Sequence, residues 1–281
     1  MKNKFKLLLL SCLLIFTCSF FWQSQEVQAK TSVVTLKPNT TYKKYDITGD
    51  KKKDKIVIKS KYDKEADMYG TITVYVNGKS RLKVNGNFYS VLGKIYTLNN
   101  GVKLLYLEGS IENGDYRVQA IYKYNSGKFK RLLDFNAQFD DYCFHQSVSN
   151  IKVKKNTIHA TQYLMSYSTG PTTLSTSYTY KNGKLVRSSN YYKYNNPFYF
   201  TTGEPSNKPY TAMKLTAYTK PSAKKVDFRV PKGEKVTILQ CYYNGSKMLI
   251  QIKYKGKTGW IKAINTKNSH LYQFKNIFYA G

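Results

Sequence analysis

The dipeptide Asn-Gly occurs at Asn77-Gly78, Asn85-Gly86, Asn100-Gly101, Asn113-Gly114, Asn182-Gly183 and Asn244-Gly245. A two-residue hairpin loop needs positive φ at both central positions, and Asn followed by Gly reaches that backbone at low steric cost. A chain that reverses direction this often leaves little room for helices. No segment keeps a helical apolar period over about twelve residues. Between the turns lie short runs rich in Tyr, Val, Ile and Thr, which favour strands. They predict strands at Lys55–Lys59, Thr71–Val76, Arg81–Val84, Phe88–Leu92, Val102–Leu107, Tyr116–Tyr124, Phe129–Phe135, Ile151–Lys154, Ile158–Leu164, Ser175–Tyr180 and Leu185–Arg187. The fold class is all-β, with an antiparallel domain over residues 30–187 built as a sandwich or as propeller-like blades. Residues 188–208, rich in Ser, Asn, Tyr and Pro, read as a linker to a smaller β unit over 209–281.

Lys2, Lys4 and Lys6 precede the apolar run Leu7 to Trp22, and the polar stretch after it closes on Val27-Gln28-Ala29. Charged start, apolar middle and small-residue end describe a secretory signal peptide over residues 1–29. The apolar run is shorter than the roughly 20 residues of a membrane-spanning helix. No later run is long enough either, so no transmembrane segment is expected in the mature chain. The expected location is extracellular or cell-wall associated. Only Cys143 and Cys241 follow the leader. They fall in the two expected domains and read as separate buried thiols, with no Cys or His pair at zinc-ligand spacing.

The formal charge of +30 excludes few partners by itself. Export makes nucleic acid an unsuitable one. It leaves anionic wall polymers and lipid head groups as the polyanions within reach. The competing use of the charge is a solvated lysine surface that keeps a Tyr-rich β protein soluble and its strand edges unpaired.

In the last fifth of the chain, Val230 to Lys235 turns into the strand Val236-Thr237-Ile238-Leu239. Lys247 to Tyr254 sorts onto two faces at period two. Lys255-Gly256-Lys257 then reverses the chain into Thr258-Gly259-Trp260-Ile261. The segments Lys232-Gly233-Glu234-Lys235-Val236 and Gly256-Lys257-Thr258-Gly259-Trp260-Ile261, within roughly 211–265, resemble bacterial SH3-like (SH3b) domains. The resemblance implies a small SH3-like β-barrel, of the kind that holds secreted bacterial proteins to peptidoglycan without catalysing a reaction. The candidate ligand-binding residues are Trp260, Tyr242, Tyr243 and Tyr254, whose flat rings bury area at little entropy cost. Lys253 and Lys257 would supply charge. The alternative role of Trp260 is core packing.

Asp46, Thr48, Asp50 and Asp54 place oxygen side chains at positions 1, 3, 5 and 9 of one loop, with the carbonyl of Lys52 at position 7. Alternate ligands wrapping a hard cation suit calcium, the one cofactor the chain suggests. With the strand that follows, residues 45–59 resemble the calcium loop of FG-GAP/VCBS-type secreted repeats. Lys51 stands where that loop takes Gly, and Thr48 replaces a stronger ligand. The alternative is a polar turn with no ion.

Cys143 and His145 match no nucleophile motif. Asp140-Asp141 and Glu108 with Glu112 are the acids that would have to serve a hydrolase. The sequence therefore points to a secreted, non-catalytic, wall-associated binding protein whose partner is peptidoglycan or an anionic wall polymer. The alternatives are a wall hydrolase acting through the N-terminal β domain and a calcium-dependent adhesion protein.

Overall fold

Hairpins organise the chain as its turn residues require. Asn77-Gly78 has φ of 52° and 79°, and Lys255-Gly256 has 45° and 83°. Both therefore carry the double positive φ that matches strand twist. A computed structural model describes residues 30–112, 115–199, 201 and 204–278. The expected signal peptide and the Asn113-Gly114 turn lie outside the described residues.

The strands in chain order are β1 (Ser32–Leu36), β2 (Thr41–Tyr45), β3 (Asp54–Lys59), β4 (Tyr62–Asp63), β5 (Met68–Tyr69), β6 (Ile72–Val76) and β7 (Lys79–Val84). Next come β8 (Ser90–Thr97), β9 (Lys103–Ser110), β10 (Tyr116–Asn125) and β11 (Lys128–Asp134). They are followed by β12 (Cys143–Lys154), β13 (Thr157–Ser166), β14 (Gly170–Lys181), β15 (Lys184–Arg187) and β16 (Tyr191–Lys193). The last are β17 (Leu215–Tyr218), β18 (Val226–Val230), β19 (Thr237–Tyr243), β20 (Met248–Tyr254) and β21 (Lys257–Lys262). Apart from a two-stranded ribbon, β4-β5, they form four antiparallel sheets: β2-β3-β6-β7, a central β1-β8-β9-β10-β11, β12-β13-β14-β15, and β16-β19-β20-β21-β17-β18. The protein is all-β.

The central sheet is covered on both faces. Ile56, Ile58, Ile72 and Val74 of the first sheet pack with Leu105, Leu107 and Ala120 on one side. On the other, Leu104, Tyr106 and Ile121 meet Ile158, Ala160 and Tyr178 of the third sheet. Alternation therefore disappears in β9, where Leu104, Leu105, Tyr106 and Leu107 are all buried. Gly93 lets the first layer close, because a Cβ there would collide with the Ile58 side chain.

The third sheet is long. β12 and β14 each have 12 residues, roughly 40 Å at about 3.3 Å per residue. One face of it therefore serves two partners. Ile158, Ala160 and Tyr178 cover the central sheet. Further along the same strands, Leu164 and Leu174 pack with Cys241, Tyr243 and Met248 of the six-stranded sheet. A polar seam separates the two cores, where the Tyr178 hydroxyl donates to fully buried Gln162 Oε1 at 3.1 Å.

Residues 188–208, expected as a linker, hold structure of their own. Tyr191, Tyr192 and Lys193 pair with Tyr242, Cys241 and Gln240, so β16 is an edge strand of the six-stranded sheet. Phe198 is buried in that sheet's core beside Leu215, Val236 and Ile250. Cys143 and Cys241, expected to lie apart, are both buried in the core shared by the third and six-stranded sheets. Among the described residues, no helix is long and apolar enough to cross a membrane.

Candidate binding surface

The inner face of the six-stranded sheet is apolar, with Ile238, Ile250, Ile252 and Ile261 at its core. Period-two alternation sends their neighbours to the outer face. Tyr191 and Tyr242 are cross-strand partners there, and Trp260 pairs with Gln251 on one side and Tyr218 on the other. Three of these rings form a cluster. Centroids lie 5.2 Å apart for Tyr191–Tyr242, 5.8 Å for Tyr191–Trp260 and 6.3 Å for Tyr242–Trp260, all edge to face. That geometry sets the positive edge of one ring against the negative face of the next. Trp260 is 5% exposed and forms the floor, whereas Tyr191 is 50% exposed and presents its ring to solvent. Around them, Gln240 Nε2 donates to Gln251 Oε1 at 2.8 Å, and Lys262 Nζ lies 5.7 Å from the Tyr218 ring centre. The surface is thus an aromatic patch rimmed by amides and by exposed Lys193, Lys253 and Lys262.

The structure divides the expected ligand residues. Tyr242, Trp260 and Lys253 share the outer face. Tyr243 points the other way and is buried between sheets, 4.7 Å from the Phe139 ring and 4.7 Å from the Arg187 guanidinium. Tyr254 stacks on Phe228 at 6.4 Å and donates its hydroxyl to Glu234 Oε2 at 2.8 Å. Lys257 is its cross-strand partner, so it too lies away from the patch. Tyr191, Tyr218 and Lys262 complete the patch and were not expected. The alternation Tyr191-Tyr192-Lys193 was a strand signal, but nothing in it named β19 as the partner.

The 46–54 loop is held by its own amides. Asp54 is buried, and its Oδ2 accepts from Ile47 N (2.8 Å) and Thr48 N (3.0 Å). Its Oδ1 accepts from Asn77 Nδ2 (2.6 Å). Asp46 takes the Gly49 and Lys51 N–H groups at 2.6 and 2.9 Å, and Asp50 takes that of Lys52 at 2.8 Å. No group of three or more His, Cys, Asp or Glu that could hold a metal ion occurs among the described residues. Each of the three Asp side chains of the loop thus accepts from backbone donors.

Of the acids considered for hydrolysis, Glu108 and Glu112 line different cavities, while Asp140 and Asp141 are neighbours that feel each other's charge. Glu112 lines one cavity with Arg117, and Glu108 lines another with Lys94, Tyr106 and Tyr116. Glu108 accepts from the Tyr106 hydroxyl and from Gln119 Nε2, and Gln119 also clasps both backbone groups of Val148. Burial, with Asp134 and Asp141 nearby, raises the Asp140 carboxyl above its ordinary value. Burial also pushes the Cys241 thiol up to about 12 and the Cys143 thiol well above the usual thiol range. Both thiols are therefore poor nucleophiles near neutral pH. His145 pairs with Asp115, and His159 Nδ1 lies 2.9 Å from Ser177 Oγ. No family model, curated protein or solved structure matches the chain.

Proposed function

We propose that this chain is a secreted, non-catalytic binding protein that attaches to the bacterial cell wall through its six-stranded sheet. The observation that carries this reading is the outer-face cluster of Tyr191, Tyr242 and Trp260 with its rim of lysines. Flat rings with polar edges suit the C–H faces of sugars and the amides of wall peptides. The lysines add attraction to anionic wall polymers. The SH3-like turn and strand order of residues 211–265 and the leader-like start of the chain support the same reading.

The test uses residues 30–281 rather than 209–281, because β16 and Phe198 belong to the sheet. Binding to purified peptidoglycan is measured by sedimentation at moderate salt. Tyr191→Ala with Tyr242→Ala should weaken it at least about tenfold, as loss of a ring pair from a binding site does. Retention unchanged in this variant sinks the reading.

One observation favours a catalytic alternative, namely Glu108 beside the Tyr106 hydroxyl in a cavity between two sheets. Clearing of a wall-substrate gel that Glu108→Gln abolishes would select it.

A further inference from the structure

Away from the aromatic patch, segments that flank the six-stranded sheet line a cavity with different chemistry. Tyr210 forms an isolated antiparallel bridge with Lys235, which puts the two side chains on one side of the backbone. The Tyr210 carbonyl accepts from Lys275 N at 2.8 Å, bringing a second lysine alongside. Lys208 lies two residues before Tyr210 and lines the same cavity. Lys208, Tyr210, Lys235 and Lys275 line one cavity of about 270 Å³ with Ser206 and Glu204. The Tyr210 ring is 50% exposed, and Lys235 Nζ lies 5.6 Å from its centre. None of the three lysines has an ion-pair partner among the described residues.

We infer that this cavity binds a phosphate ester. Three ammonium groups against the carboxylate of Glu204 leave the lining net positive. A phosphate monoester, which carries about −1.5 to −2 at pH 7, matches that charge. Lysines act as separate point charges and suit an oxyanion with three terminal oxygens. A planar carboxylate is better met by the fork of an arginine, and the lining contains none. The exposed Tyr210 ring offers an apolar platform for the carbon portion of the ester. The volume sits just under the usual range for small-molecule sites, about 300–1,000 Å³, so one phosphorylated polyol or sugar unit fits. The site does not depend on the Tyr191 patch.

Calorimetric titration of residues 30–281 with glycerol 3-phosphate at low ionic strength tests the inference, with acetate as the competing anion. Saturable heat should appear below about 10 mM phosphate ester, weaken as salt rises and be absent with acetate. Lys235→Gln with Lys275→Gln should weaken binding at least about tenfold while melting stays within a few degrees, as for surface changes. Should that pair fold poorly, Tyr210→Leu with NMR shifts followed at Lys208, Lys235 and Lys275 replaces it. No heat up to about 10 mM, equal binding of acetate, or unchanged affinity in the variants overturns the inference. A poly(glycerol phosphate) polymer and vesicles with phosphatidylglycerol or only phosphatidylcholine then identify the source. Capture of the polymer assigns a wall phosphate, and capture of the phosphatidylglycerol vesicles alone assigns a lipid headgroup. Capture of either by the wild type and the lysine variant alike overturns a role for this cavity.

Discussion

Tyrosines of the central sheet and those on the outer face of the six-stranded sheet sit on similar antiparallel strands, yet they meet opposite surroundings. Tyr96 and Tyr106 of the central sheet are buried, and burial raises both hydroxyls, with Glu108 adding to the effect. Tyr191 and Tyr242 lean on Trp260 and face outward. The difference lies in what covers each sheet. The central one has a layer on either side, while Tyr191, Tyr242 and Trp260 of the six-stranded one belong to none of the hydrophobic cores among the described residues. A tyrosine's role follows from the neighbouring layer and not from its own strand.

Substitutions can break this contrast. The largest effect belongs to the doubly covered sheet. Leu107→Ala should cost about 3–4 kcal/mol in denaturant unfolding, since the lost contacts lie between two layers that cannot collapse onto the gap. A loss as small as that of an outer-face ring would erase the distinction between the sheets. Next comes the loop that leads into the first layer. Asp54→Ala removes the acceptor for four donors, Ile47 N, Thr48 N, Thr48 Oγ1 and Asn77 Nδ2, and should cost about 2–3 kcal/mol. Calcium should leave the melting temperature of the parent chain unchanged. A calcium-dependent rise would show that the loop, and with it the first sheet, needs an ion.

The smallest effect sharpens the comparison at the seam between sheets. Asp140 has a raised carboxyl pKa in the folded protein, caused first by burial and then by Asp134 and Asp141. A folded pKa above the unfolded one means that ionisation opposes folding. The stability this group contributes is present below the ordinary carboxylate value and is lost as pH rises through the folded value. Asp140→Asn should therefore raise the melting temperature at pH 7 by about 1–3 °C. The gain should vanish below about pH 4. A lower melting temperature at pH 7 would mean that Gln146 Nε2, which donates to Asp140 Oδ1, holds the charged form more strongly than burial opposes it.

The strands bounded by strong turns were legible in the sequence. Lys55–Lys59 lies within Asp54–Lys59, and Ile158–Leu164 within Thr157–Ser166. β12 was read only from Ile151. Bulges at Cys143/His145 and Val148/Asn150 break its alternation, so the period-two signal fades where the strand begins. β1, β2 and β16 are short edge strands; the lysines and tyrosines of β2 and β16 look like loop, and β1, Ser32 to Leu36, pairs only with β8, about sixty residues further on. Of the residues on the aromatic patch, Trp260 and Tyr242 were legible because alternation along β19 to β21 fixes their face. The same rule separates Tyr243 from Tyr242. Tyr191 was not legible, because pairing between strands about fifty residues apart leaves no local mark.

The small strand β16 also decides what a transplantable piece of this protein is. A graft cut at residue 209 would leave the amides of β19 bare along one edge, inviting a neighbouring molecule to fill them. It would also empty the place that Phe198 occupies beside Leu215. The smallest portable unit therefore begins ahead of Tyr191, inside the stretch that by composition alone would be discarded as tether.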